Sequence, residues 1–136
     1  MSPEIVLAKL KLLQQVLADL APHCAARQTY AARMASHYEI ERQVQLAVDL
    51  SLACARRALT LKGLAVPDTA REVFLACLRA KLLPKGLAHQ LADAAGLRNL
   101  IVHEYGVLDY ERFFGGLPAG HRAFLQFVDR LLAVRF

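Results

Sequence analysis

Tryptophan is missing from this sequence of 136 residues, and there are only five prolines and seven glycines. β-Branched residues are modest in number while Leu and Ala dominate, which argues against a sheet and for packed helices. The three cysteines, Cys24, Cys54 and Cys77, form no C-x-x-C pair and sit mostly among Ala and Leu. An odd number so placed points to buried free thiols in a reducing cytoplasm rather than to disulfides or a metal site.

Other absences narrow the function. No uncharged run is long enough to span a membrane, and Met-Ser-Pro-Glu at the N-terminus lacks the basic start of a signal peptide. No glycine-rich phosphate loop follows a strand pattern, so P-loop and dinucleotide folds are disfavoured. His23, His37, His89 and His121 are scattered singly, without metal-ligand spacing. No metal or cofactor is expected. The paired-helix spacing of a DNA-reading helix-turn-helix is not evident, and there is no internal repeat or Gly/Ser-rich linker.

What is present is apolar and periodic. The length fits one domain, residues 1–136. Pro3 and Glu4 open a helix whose apolar residues, Val6, Leu10, Leu13, Val16, Leu17 and Leu20, recur at three and four; it should end near Ala21-Pro22. Thr29 caps a short helix through Met34. Ser36 and Glu39 have capping-box spacing ahead of a long helix with core positions Ile40, Val44, Ala47, Val48, Leu52, Ala55 and Leu59. Leu46, Leu50 and Cys54 add a second apolar stripe, so this helix is central to the bundle or shared with a second subunit.

Gly63 reads as a left-handed cap, and Asp68 or Thr69 starts a third long segment through Val73, Phe74, Cys77, Leu78 and Leu82. After Pro84 and Gly86 a fourth helix runs from about Leu87 to Glu104, stopped by Gly106. Asp109 caps the last region, in which Tyr110, Phe113 and Phe114 precede a Gly115-Gly116-Leu-Pro118 interruption and an amphipathic C-terminal helix. The expected fold is all-α, an antiparallel bundle of four main helices plus short ones.

The net charge of +5 and a pI near 9.4 suit a polyanionic partner such as RNA, or simply a solvated basic surface. One stretch concentrates chemistry: Arg98-Asn-Leu-Ile-Val-His103-Glu-Tyr105. Metal-free RNA cleavage needs a base for the 2′-hydroxyl, an acid for the leaving oxygen and positive charge on the phosphate. Arg98 offers a phosphate fork and His103 one proton-transfer group. Equally, His103 suits the negative end of a helix dipole, and Arg98 suits pairing with Asp93 or Glu104.

On a helix, Arg98 and Tyr105 nearly share a face, whereas Arg98 and His103 are about 140° apart. Arg98 must reach around, the helix must loosen before His103, or a second copy of the motif completes the site across a two-fold axis.

These residues resemble the HepT-like HEPN-domain toxins, small all-α proteins whose signature places Arg, four residues, His, one residue and Tyr near a helix end. Glu41-Arg-Gln-Val-Gln-Leu-Ala-Val-Asp49-Leu50, Pro67 to Leu83, and Val107-Leu-Asp109-Tyr-Glu-Arg112 resemble further family segments, so the likeness covers most of the chain. The resemblance implies a homodimeric, metal-independent ribonuclease with Arg98 and His103 as catalytic residues and Asn99 in support. It also implies a nucleotidyltransferase antitoxin that transfers AMP onto Tyr105. Many relatives carry an acidic residue and a His four apart in the second helix, where this chain has Ser51 and Ala55. Against the toxin reading stands a non-catalytic helical module that binds a nucleotidyltransferase or a nucleotide.

Overall fold

The computed structural model describes residues 3–103 and 108–136, excluding the side chains of Val102 and His103. Among these residues there is no strand. Seven helices follow one another: α1 (Pro3–Cys24), α2 (Tyr30–Ala35), α3 (His37–Leu61), α4 (Ala70–Arg79), α5 (Lys85–His103), α6 (Tyr110–Gly115) and α7 (Leu117–Leu132). The expected all-α bundle is what forms, with α1, α3, α5 and α7 as its long members.

The apolar spacing of α1 buries Val6, Leu10, Leu13, Leu17 and Leu20 against α3 and α7. Their partners are the α3 residues Ala47 to Leu59 and, on α7, Phe124, Phe127, Val128 and Leu131. A smaller cluster at the other end joins Leu20, Cys24, Ile40, Val44, Phe113, Phe114 and Leu117, with Leu97 and Ile101 packed on it. Early α1 thus meets late α3, and late α5 meets early α3, so both pairs run antiparallel. This direction brings the end of α5 alongside the first half of α3.

Several helix ends follow the sequence pattern. Thr29, Thr69 and Asp109 each accept a hydrogen bond from the backbone N–H three residues on, as N-cap side chains do. Gly63, at φ +73°, closes α3 with Gly63 N bonded to Thr60 O and Leu64 N to Leu59 O, the paired bonds of a left-handed cap.

Three readings needed correction. α1 runs past Pro22 to Cys24. Proline there forfeits only one bond near a helix end, and the carbonyls that follow it are met by the Arg33 guanidinium, which donates to His23 O at 2.9 Å and Ala25 O at 3.0 Å. Ser36 forms no side-chain cap because it already closes α2; at φ −118°, ψ 22° it lacks the extended backbone a capping hydroxyl needs. Leu52, read as core, is only half-buried, because it faces a cleft between α3 and α5.

Burial pushes the Cys24 and Cys54 thiols up to about 11 and Cys77 up to about 12. All three are free and buried, so they act as small apolar side chains rather than nucleophiles. No helix among the described residues is long and apolar enough to cross a membrane.

Candidate functional site

Asp49 and Arg98 meet where α3 and α5 pass each other: Arg98 Nε donates to Asp49 Oδ1 at 3.0 Å. The partner of Arg98 is therefore on α3 rather than at Asp93, which instead takes Arg71 at 3.1 Å. Glu104, the other expected partner, lies outside the described residues. The pair is half-exposed, with 27% of the Arg98 side chain and 39% of Asp49 accessible. An ion pair of that exposure adds at most about 1 kcal/mol to stability, so its main effect is orientation. Using only Nε, it leaves the two Nη groups of the guanidinium fork with no carboxylate among the described residues.

Arg98 lines a cleft of about 320 Å³. Asp49, Leu52 and Arg56 form its α3 wall, Ala95, Arg98 and Asn99 its α5 wall, and Ala70 closes one side. Two guanidiniums share the space with one carboxylate, and small side chains leave room between them. Such a surface suits a phosphate with an attached sugar.

Asn99 is exposed on the rim, next to Arg98. α5 stays α-helical through His103, so no loosening of the helix relieves the angle between Arg98 and His103. The side chain of His103, and Tyr105 altogether, lie outside the described residues, as does Gly106. The structure brings Arg98 and Asn99 to one cleft.

Sequence reasoning missed Asp49 and Arg56 as cleft residues. Ser51 and Ala55, where the acidic and His positions of relatives were placed, are fully buried core residues. The carboxylate of α3 that faces α5 is Asp49, two residues before Ser51. Amphipathic phase held the signal: Ala47, Ser51, Ala55 and Ala58 share the core side, while Asp49, Leu52, Ala53 and Arg56 recur at helical spacing toward the cleft.

A second polar cluster joins α3 to α6. His37 Nδ1 lies 2.7 Å from Glu41 Oε2, and the Tyr110 hydroxyl donates to the same carboxylate at 3.3 Å. Burial, then the negative charge of Glu41 and the bond it accepts, push the Tyr110 phenol above its ordinary value. His121 Nε2 donates to Leu17 O at 2.8 Å, and His23 lies 3.7 Å from Glu39. No three His, Cys, Asp or Glu among the described residues gather as a metal site.

A family model described as ribonuclease HepT-like matches residues 6–131. Among solved structures, the chain is similar to a tri-AMPylated HEPN toxin from Shewanella oneidensis, in complex with an MNT antitoxin. That match has 19% identity and a TM-score of 0.87, covering 98% of this chain and 100% of that one. A toxin–antitoxin structure with AMP-PNP gives 18% identity and a TM-score of 0.86, covering 96% and 99%. A cytosolic protein of unknown function from Bacillus subtilis, YutE, gives 13% identity and a TM-score of 0.82, covering 98% and 90%. No curated protein matches the sequence.

Proposed function

The chain belongs to the ribonuclease HepT-like family, and from that premise we propose that it is the toxin of a toxin–antitoxin pair, cutting RNA at the Asp49–Arg98 cleft without a metal ion. The observation that carries this reading is Arg98, held through Nε on Asp49 and lining an open cleft.

In the reaction the 2′-oxygen of a ribose attacks the adjacent phosphorus, and the bond from phosphorus to the 5′-oxygen breaks. The 2′-hydroxyl loses a proton and the leaving oxygen gains one. Arg98 stabilises the extra negative charge that gathers on the phosphoryl oxygens, an interaction stronger in the transition state than in the ground state. His103 transfers protons, and Asn99 donates from the rim. One imidazole serves one proton transfer at a time, so the second is assigned to another copy of the motif across the two-fold axis of a homodimer.

Regulation follows from the same cleft. A nucleotidyltransferase antitoxin would join AMP to Tyr105: the phenolic oxygen attacks the α-phosphorus of ATP, pyrophosphate leaves, and the phenolic proton is released. The new phosphodiester, seven residues from Arg98 in sequence, adds negative charge that would compete for the anion site and repel RNA. The two toxin–antitoxin neighbours support this reading.

The test is cleavage of an unpaired RNA with a chelator present, comparing wild type with His103→Ala. Wild type should cleave and His103→Ala should lose at least about 10²-fold, the usual size of a general acid–base contribution. Equal, negligible cleavage by both proteins would reject the nuclease reading. Dependence on an added divalent ion would reject metal independence.

A further inference from the structure

The geometry points to a second anion subsite in the same cleft, in which Arg56 binds an RNA backbone phosphate beside the one held by Arg98. The inference rests on the RNA reading above and adds a residue to it.

Arg56 follows Asp49 by seven residues, so the two lie within about 20° of each other around α3 and roughly 10 Å apart along it. Both line the cleft. Between them the floor is Leu52, Ala53 and, from α5, Ala95. The groove is therefore cationic at two points and apolar in the middle. A single RNA strand has the complementary pattern, with charged phosphates separated by a less polar sugar.

Charge assigns the subsite its role. Asp49 sits 3.0 Å from Arg98 and offsets part of its attraction for a polyanion, though not its hydrogen-bonding fork. Arg56 is exposed and has no carboxylate partner among the described residues, so it brings an unopposed positive charge. Affinity thus comes largely from Arg56, and transition-state stabilisation from Arg98. A guanidinium alone on the surface would be a solvated charge; sharing a cleft with a second, oriented one is what distinguishes Arg56 from the other exposed arginines.

The experiment measures binding of a fluorescently labelled, unpaired 2′-O-methyl RNA, which lacks the attacking hydroxyl, to full-length protein between about 50 and 200 mM salt. Each phosphate contact on a single strand adds about 0.7 to the slope of log affinity against log salt. Arg56→Ala should lower the steepness by about that amount, and Arg56→Lys should keep it. Arg130→Ala removes the same charge from the exposed end of α7 and should leave the slope unchanged.

Equal slopes for wild type and Arg56→Ala, equal losses from Arg56→Ala and Arg130→Ala, or no RNA binding at low salt would each overturn the subsite. The nuclease reading fails separately. A wild-type protein that cuts nothing, yet shows the Arg56-dependent slope, keeps the subsite and loses the reaction.

Discussion

Two carboxylates on α3 each tie that helix to a later one, and they are put to different uses. Glu41 is enclosed, with 16% of its side chain accessible, and receives both His37 and the Tyr110 hydroxyl. Asp49 is 39% accessible and takes only Nε of Arg98, a residue that lines the cleft. The first cluster satisfies its groups internally and so holds α6 against α3. The second leaves donors with no carboxylate partner among the described residues, as a site for a ligand must. Polar groups of the same kind, two turns of helix apart, thus divide between architecture and chemistry.

The comparison predicts opposite profiles for substitutions at the two places. Arg98→Ala should lower RNA cleavage by about 10²- to 10³-fold, the usual cost of one transition-state donor. Its stability in urea should change by no more than about 1 kcal/mol, because the pair is half-exposed. Asp49→Asn should come next, with a loss in kcat of up to about 10²-fold from a misplaced fork. Because Asp49 acts by positioning, KM should change far less than kcat, and Asp49→Glu should recover part of the loss.

Tyr110→Phe should show the reverse balance, costing about 0.5 to 1.5 kcal/mol of stability for the lost hydrogen bond. It should also alter the alkaline limb. The phenol is pushed up in the folded protein, so its contribution is present below the ordinary tyrosine value and is lost as pH rises through the folded one. Wild type should therefore lose stability above pH ~10 more steeply than Tyr110→Phe, as urea melts across that range would show.

Ser51→Ala should have the smallest effect on cleavage. The Ser51 hydroxyl is fully buried and has no hydrogen-bond partner among the described residues. Removing it should raise stability by up to about 1 kcal/mol and leave the cleavage rate within error. A rate as low as that of Asp49→Asn would instead return the acidic position of relatives to Ser51.

The long helices were legible because their apolar spacing is regular, and the shorter α2, α4 and α6 because their starts carry Thr29, Thr69 and Asp109, whose side chains do cap. The motif was legible because Arg and His are rare together in an apolar helix. What escaped was relational. Nothing local to Asp49 tells that its neighbour is Arg98, 49 positions away, nor that Arg56 and Asn99 open on one cleft. Ser36 looked like a cap for the same reason, since its spacing to Glu39 is visible but its role in closing α2 depends on the chain before it.

The most direct test of the central claim is the turnover of an unpaired RNA, with chelator, by wild type, Asp49→Asn and Arg98→Ala under one set of conditions. The expected result is cleavage by wild type, an intermediate kcat for Asp49→Asn at nearly unchanged KM, and background cleavage by Arg98→Ala. Cleavage by Arg98→Ala at the wild-type rate would contradict the claim that this cleft does the chemistry.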